Sequence, residues 1–456
     1  MPTIEPKIFK AYDIRGLSPG ELTSDIAERV GRAVVQFTSA DVVVVGRDMR
    51  TTSPELAKAV IAGILKSGAD VVDIGLTSTP QFYYAVGAQF SGGGVGAGIM
   101  ITASHNPKEY NGFKMVRGNL LPIGEGSGMA QIQELVIDGK FSDKPEGTVM
   151  EIDVRDEYVQ AHIELVPRAL IGKPTVVIDA GNGMAGHTLP ALLDEYRLKA
   201  ERLFFELDGT FPNHEANPVK IETLAALIAE VRKQNADLGV SFDGDADRVG
   251  FCDETGTPVR GDIMTALLAG EVLKEHPGAP VLYDVRSSWA VKEAIEAAGG
   301  TAVMCRVGHA FIKSKLRELD ACFGGELSAH YYFQDFYGVE SSDLAMLYVL
   351  RAMNKGKRKL SELVAPLLRY HHSGEINFTV KDKDALMKRV EKKFSNGAVS
   401  VSKIDGIRIE YGSWWFNVRA SNTEPLVRLN LEAKTKEEME KRIEELSEFI
   451  NENPKS

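Results

Sequence analysis

Asp243, Asp245 and Asp247 alternate through Asp-Gly-Asp-Ala-Asp-Arg, which puts three carboxylates within five residues. Like charges so close repel one another unless something positive sits among them. Oxygen-only donors suit a hard cation such as Mg²⁺, which wants about six oxygens and keeps positions for water or phosphate. Gly244 and Ala246 are small enough for the backbone to wrap tightly, and Arg248 adds a guanidinium fork suited to phosphate. The stretch reads either as a metal site with a vacancy for a phosphoryl oxygen or as a loop of solvated aspartates.

A second segment bears on that choice. Ser104 lies in Thr102-Ala103-Ser104-His105-Asn106-Pro107, between an apolar run and a return bearing Gly112 and Lys114. Asn-Pro favours a turn and holds the preceding backbone extended. A serine needs activation or a charged setting to carry a phosphoryl group, and His105 and Lys114 are near enough to supply charge or move a proton. Taken alone, the segment could be a turn or capping serine. Beside the aspartates, a phosphoserine opposite a metal is the stronger reading. Near the C-terminus, Arg419-Ala420-Ser421-Asn422-Thr423-Glu424-Pro425 and Arg428 gather guanidinium, hydroxyl and amide groups. That inventory fits a phosphate cradle, or a plain turn between strands.

These segments need a scaffold, and 456 residues suffice for about three or four domains. A net charge of -11 argues against a general nucleic-acid binder, which needs a basic surplus. Cys252, Cys305 and Cys322 are widely spread and lack metal-ligand spacing, which suggests buried thiols in a reducing compartment. No apolar run approaches about 18 residues and the N-terminus lacks a signal-peptide core, so a cytoplasmic protein without membrane partners is expected. The sequence is silent on oligomeric state.

Strand-like runs at Val42–Val45, Thr175–Ile178 and Val281–Tyr283 each start a strand–helix–strand pattern. Each pattern reaches a further apolar run: Gly98–Ile101, Leu238–Phe242 and Ala321–Phe323. Such alternation predicts βαβ units, whose ligand sites lie beyond the carboxyl ends of strands. Directly after the three runs come the Ser104 loop, the aspartate loop, and Gly325-Glu326-Leu327-Ser328-Ala329-His330. Arg286 ends the first strand of the third copy. His309, in Val307-Gly308-His309, ends a predicted strand of that copy and is a candidate general base. The last ninety residues change plan to four strands and a helix from a capping box at Thr435. The expected fold is thus three similar α/β domains with mixed, mainly parallel sheets (1–150, 151–254, 255–368) and a C-terminal α+β domain (369–456). Trp414 and Trp415 alternate in a strand, so one ring should be core and the other at an interface. His371 and His372 are expected to be exposed.

In order, Tyr12-Asp13-Ile14-Arg15-Gly16, Thr102 to Pro107, Asp243 to Arg248, Gly325 to His330 and Arg419 to Pro425 resemble the signature segments of the α-D-phosphohexomutases, phosphomannomutase/phosphoglucomutase branch. The resemblance spans nearly the whole chain and implies four domains around a central cleft. It implies that Ser104 is the phosphorylated serine and that Asp243, Asp245 and Asp247 bind Mg²⁺ together with its phosphate. It implies that Glu326 and Ser328 hold sugar hydroxyls, and that Arg419, Ser421, Asn422, Thr423 and Arg428 grip the phosphate that is not reacting. Arg15, His105, Lys114 and Arg248 would line the transfer pocket, while Tyr12, Arg286 and His330 would stand near the sugar. The reaction implied is hexose 1-phosphate to hexose 6-phosphate interconversion, for mannose, glucose or both, through a hexose 1,6-bisphosphate. A phosphoglucosamine mutase is a neighbouring possibility, although Leu327 stands where those enzymes usually carry Gln. A Mg²⁺-dependent sugar phosphatase and a non-enzymatic sugar-phosphate sensor are the other classes. Gly181-Asn182-Gly183-Met184-Ala185-Gly186 also spells a dinucleotide motif, with Glu206 near the acidic position, but the other two copies lack it. It is read as a tight strand-to-helix turn.

Overall fold

Four sheets organise the chain in the computed structural model, which describes residues 4–91, 94–420 and 426–452. In the first sheet Val42–Arg47 lies between Asp70–Leu76 and Ala97–Ile101, all parallel. The interior positions of Val42–Arg47 and Ala97–Ile101 are almost wholly apolar and buried, as strands covered on both faces must be. Tyr110–Arg117 then returns antiparallel beside Ala97–Ile101 and pairs with Ile14–Leu17. The second and third sheets repeat the device. Leu238–Phe242 is followed by antiparallel Val249–Cys252, and Phe323–Gly325 by antiparallel Tyr331–Phe333. The third-copy strand starts two residues later than the apolar run predicts, because Asp320 takes a left-handed conformation and ends the preceding helix turn. In all three sheets a parallel strand therefore delivers its loop at the carboxyl end and a hairpin partner carries the chain away.

The fourth sheet is wholly antiparallel: His371–Thr379, Leu426–Ala433, Trp414–Ala420, Ile407–Glu410 and Ser400–Ser402, in that order. The helices Lys383–Phe394 and Lys436–Asn451 contribute Leu386, Val390, Phe394, Leu446 and Ile450 to its core. Thr435 Oγ1 caps the last helix by accepting from Glu438 N at 3.2 Å, while the Glu438 carboxylate turns to Ser413. Trp414 packs in this core against Tyr411. Trp415, one residue on, faces the third domain instead. Its Nε1 donates to Glu432 (2.8 Å), and the Arg408 guanidinium lies 3.7 Å above its ring. Arg408 donates onward to the carbonyls of Val285 and Ser287.

His371 is exposed, as expected, but His372 is not a free surface residue. Strand alternation turns it inward, where its Nε2–H donates to Arg286 O (2.9 Å) and its Nδ1 accepts from Gly374 N. The three cysteines are buried and unpaired. No helix among the described residues is long and apolar enough to cross a membrane.

One helix, Ser342–Gly356, ties the middle of the molecule together. Nearly every residue through Met353 is buried, as befits a helix apolar on all sides. Ser341 Oγ caps it by accepting from Leu344 N (3.1 Å), and Ser342 Oγ donates to Ala246 O inside the aspartate loop. The apolar cluster around this helix is continuous through residues of the first three sheets' domains, from Phe82 and Tyr83 through Tyr158 and Phe336 to Tyr348. His162, fully buried, braces the same junction, with Nδ1 2.8 Å from Tyr158 O and Nε2 3.4 Å from Ser341 Oγ.

Burial holds the His162 ring down at about 4. An unfolded chain protonates that ring near pH 6.5, so below this pH the unfolded state binds the extra proton and stability falls as pH drops toward 4. The full shift corresponds to about 3 kcal/mol. His162→Gln, which cannot titrate, should flatten the loss of urea stability between pH 7 and 4. A parental slope in the variant would contradict this.

Candidate active site

The carboxyl ends of Ala97–Ile101 and Leu238–Phe242 meet, and their loops interlock. Ser104 has φ 52°, a left-handed conformation unfavourable for a residue with a Cβ. The turn aims its Oγ at Asp243 Oδ2, to which it donates at 2.6 Å, while His105 Nδ1 stands 3.1 Å away. Gly244 explains the proximity. A Cβ there would run into the Ser104 carbonyl closer than atoms can approach, so only glycine lets the two loops pass. The aspartate loop is held from several sides. Met184 N donates to Gly244 O, Thr79 N to Asp245 O, Thr79 Oγ1 to Asp245 Oδ2 at 2.6 Å, and Arg248 N to Asp243 Oδ1. The glycine-rich turn at 181–186 thus buttresses this loop, and Gly183 leaves no room for a Cβ beside Gly244 O.

One carboxylate oxygen from each of Asp243, Asp245 and Asp247 lies within 4.8 Å of the others, and all three residues are buried. Burial, then the charges of Asp245 and Asp247, push Asp243 up to about 8. Burial works against ionisation of Asp247 too, but Lys114 and His330 outweigh it and hold that carboxyl well below the usual range. Lys114 Nζ bridges Asp245 Oδ2, at 2.6 Å, and Asp247 Oδ2. Oδ1 of Asp245 is buried without a hydrogen-bond partner, and Oδ1 of Asp247 has only the ring of His330, with Nε2 3.4 Å away. An orphaned oxygen, an all-oxygen donor set and a surplus of negative charge fit a hard divalent cation held by these three residues and completed by oxygens of other origin.

Cations surround the serine. Arg15 donates through Nε to Asp13 (2.8 Å) and through Nη1 to Asn106 Oδ1 (2.8 Å) and Ala103 O (3.3 Å). Arg248 Nε stands 3.9 Å from Asp243 Oδ2. Burial, with Arg248 and Arg15, depresses His105 well below the ordinary histidine range, so its ring is neutral. His330 behaves oppositely. Burial disfavours its charge, but Asp247 (3.4 Å) and Glu326 (3.3 Å) raise it to about 9. Its Nε2 is also 3.2 Å from Arg248 Nε, which for a protonated ring is a close approach of two donors rather than a hydrogen bond.

From His330 a chain of charges runs into the fourth domain. Glu326 accepts from Tyr332 Oη (2.6 Å) and Gly308 N (3.0 Å), and with His330 and Arg286 beside it, its carboxyl is held at about 2 despite burial. Arg286 makes a two-pronged pair with Asp284 and lies 3.9 Å from Glu326 and 3.7 Å from Glu375. Glu375 also meets Arg419 (3.1 Å) and Arg428 (3.5 Å), which stand directly opposite each other on adjacent strands. Two guanidiniums in register repel unless an anion lies between them. Ser328 Oγ is 3.2 Å from His330 Nδ1.

The structure thus brings Ser104, His105, Lys114, Arg15, Arg248 and the aspartates into one cluster, linked through His330 and Glu326 to Arg286, Arg419 and Arg428. Ser421, Asn422 and Thr423 lie outside the described residues. His309 does not end a strand. Thr301–Cys305 stops four residues earlier, and His309 opens the helix His309–Glu318. Its ring packs on Tyr12 with centroids 5.5 Å apart, and burial with Lys313 and Lys114 depresses it well below the ordinary range. Tyr12 bridges the first and third domains, its Oη donating to Val307 O at 3.1 Å. Sequence reasoning missed Arg50, Thr79, Tyr332 and Glu375. Only Arg50 carried a signal, since it lies two residues past the strand-end Asp48.

All four parts of the chain match family descriptions. Residues 6–142, 156–256 and 260–370 match the alpha/beta/alpha domains I, II and III of phosphoglucomutase/phosphomannomutase, and residues 375–449 match its C-terminal domain. The chain is 38% identical over 445 residues to the phosphohexose mutases of Xanthomonas campestris, covering 97% of this chain and 98% of the relative. It is 40% identical over 437 residues to a phosphomannomutase of Escherichia coli, covering 93% and 94%. A crystal structure of a phosphoglucomutase/phosphomannomutase family protein from Burkholderia thailandensis superposes with a TM-score of 0.90 at 34% identity, covering 98% of this chain and 97% of that one.

If the aspartate cluster holds a divalent ion, adding Mg²⁺ should raise the thermal unfolding midpoint, by a stabilisation of about 2.7 kcal/mol at 100 times Kd. EDTA should reverse the shift and Asp245→Asn should abolish most of it. A parent protein whose melting ignores Mg²⁺ would rule the site out.

Proposed function

Because this chain belongs to the phosphoglucomutase/phosphomannomutase family, we propose that it interconverts hexose 1-phosphate and hexose 6-phosphate, of mannose and glucose alike, through phospho-Ser104 and a hexose 1,6-bisphosphate. The observation that carries the reading is Ser104 Oγ donating to Asp243 at 2.6 Å within a buried cluster of three aspartates. Asp243, Asp245 and Asp247 hold Mg²⁺, which when bound supplies positive charge to the phosphoryl oxygens. Arg248 and Lys114 add charge from the protein side, and Arg15 holds the loop by its grip on Asn106 and Ala103.

Phosphoryl transfer asks for alignment and charge neutralisation more than for covalent chemistry from the enzyme. In the forward half, a sugar hydroxyl oxygen bonds to phosphorus as the bond from phosphorus to Ser104 Oγ breaks. His309, which burial keeps neutral, takes the hydroxyl proton, and His105, protonated beside the phosphoserine, returns one proton to Ser104 Oγ. In the second half Ser104 Oγ attacks the other phosphate of the bisphosphate, its proton passes to neutral His105, 3.1 Å away, and the leaving sugar oxygen takes back the proton held by His309.

The bisphosphate must present both ends to one serine, so the non-reacting phosphate needs its own seat. Arg419 and Arg428 face each other with Glu375 between them, a cationic pair suited to phosphate; Ser421, Asn422 and Thr423, outside the described residues, are assigned to the same seat by the sequence resemblance alone. Glu326, Ser328 and His330 meet the sugar hydroxyls, with Arg286 and Tyr12 at the margins. Contacts to hydroxyls other than that at C2 do not separate mannose from glucose, which supports dual specificity.

A coupled assay for hexose 6-phosphate formation, with Mg²⁺ and a trace of bisphosphate, tests the reading. Turnover is expected for glucose 1-phosphate and mannose 1-phosphate, lost in EDTA and lowered more than about 10³-fold in Ser104→Ala, the scale at which a covalent nucleophile matters. Inorganic phosphate released faster than isomer forms would instead make the protein a phosphatase. His309→Gln should lower kcat by about 10²-fold or more, the usual scale of a general base. Unchanged turnover in that variant removes His309 from the mechanism.

A further inference from the structure

One buried guanidinium beside the transfer site reaches Ser104 only through its main chain and has no role in the mechanism above. Arg50 is about as inaccessible as any charged side chain in the molecule, with 1% of its surface exposed. Its Nη1 donates to Pro107 O (2.8 Å) and Tyr110 O (2.9 Å), and its Nη2 to Ser104 O (2.7 Å) and Asn106 O (2.6 Å). A guanidinium has five N–H donors in a rigid plane. Four of them are spent on main-chain carbonyls of a single seven-residue loop. The remaining Nε lies 3.4 Å from Asp48 Oδ2, and Asp48 Oδ1 accepts from Arg50 N and Ser53 Oγ. The whole assembly is thereby anchored to the start of the helix Ser53–Lys66.

The second domain closes over this cation. The Phe211 ring lies 5.1 Å from the guanidinium carbon, and Gly209 sits so near that a Cβ there would come within 2.7 Å of Arg50 Cα. The residue at the centre of the assembly is the disfavoured one. Ser104 holds its left-handed φ with both main-chain ends pinned, its N–H on Thr102 Oγ1 (2.9 Å) and its carbonyl on Arg50. A strained conformation persists only where its surroundings over-determine it.

We propose that Arg50 is a positioning residue, which locks the carbonyl frame of loop 104–110 so that Ser104 Oγ keeps its aim and its shelter from water as the phosphoryl group comes and goes. The proposal rests on Ser104 being the phosphoryl carrier, and Arg50 acts only through it. Loosening the frame opens a side reaction. A water oxygen bonds to phosphorus as the P–Oγ bond breaks, one proton restores the seryl hydroxyl, and inorganic phosphate leaves. Lysine cannot replace arginine here, because one ammonium at the end of a flexible stem cannot span four carbonyls.

The test compares parent and Arg50→Lys by mutase kinetics, by hydrolysis of the phosphoenzyme without sugar, and by amide hydrogen exchange over residues 102–112. Arg50→Lys should lower kcat about 10²-fold, the cost of misplacing a reacting group by about 1 Å, with KM within about threefold of the parent. Phosphate lost per isomer formed should rise, and exchange should quicken in 102–112 but not across the rest of the first sheet. A folded Arg50→Lys protein with parental kcat, or one whose loss follows its folded fraction with no change in the hydrolysis ratio, overturns the proposal. Should Arg50→Lys fail to fold, Phe211→Leu uncovers the guanidinium while leaving its four acceptors. It should show the same shifts in smaller measure, and parental hydrolysis and exchange there also overturn the clamp. A parent without turnover or label on Ser104 would sink the mutase reading instead, while the exchange comparison still judges the clamp.

Discussion

Three carboxylates forced together out of water are the constraint around which the central part of this molecule is arranged. At about 4 Å and an effective dielectric of 20, one pair of like charges costs ~4 kcal/mol. Asp243, Asp245 and Asp247, with oxygens within 4.8 Å of one another, cannot all stay ionised without compensation. Lys114 gives some, and Arg248 and His330 stand at the rim. The backbone is braced accordingly: the loop is tied to the first domain by Thr79, to its own domain by Met184, and to the third domain by Ser342. A repulsive cluster survives only if every neighbour is committed to holding it, which is the arrangement a tightly bound cation would exploit.

That commitment explains the unequal joints between domains. The first three sheets share a continuous apolar cluster around the helix Ser342–Gly356, so their loops meet on a common rigid base. The fourth domain keeps a separate core and meets the third through polar contacts: Arg408 on the carbonyls of Val285 and Ser287, His372 on Arg286 O, and Trp289 N on Glu432. Apolar burial is lost when a joint opens, whereas hydrogen bonds are largely regained from water. The joint beneath the arginine pair is thus the one whose contacts are least costly to exchange.

Loops beyond strand ends were legible in the sequence because they announce themselves twice, by an apolar run and by the reactive residue types that follow. Ser104, the aspartates and Glu326 stand out on both counts. Arg50 lies just past a strand end but shows only that half of the signal, since its partners are four carbonyl oxygens, which every residue carries and no sequence distinguishes. Glu375 and Tyr332 were missed for a related reason: their partners lie on other strands or in other loops, and only register brings them together. His309 shows the reverse failure. Its type was informative, but it was read as the end of a strand, whereas Gly308, with φ 125°, stops the chain from extending and His309 opens a helix. The strand reaches back to His371, before the apolar alternation that marks it, so His372 read as an exposed boundary residue when its pairing turns it inward.

The two ends of the site hold charge in different ways, and the difference follows from what each must do. Around Ser104 the cations are fixed by several partners each: Arg15 by Asp13, Asn106 and Ala103, Lys114 by two aspartates. Their positions therefore do not depend on a ligand, as electrostatic stabilisation of a transferring group demands, because reorganisation at the moment of reaction would consume the benefit. At the far end Arg419 and Arg428 face each other across a strand pair with Glu375 between them. A phosphate can take over the role of that carboxylate without leaving either guanidinium uncompensated. A seat of that kind accepts and releases an anion readily, whereas the centre around Ser104 is built to keep its geometry whichever end of the sugar arrives.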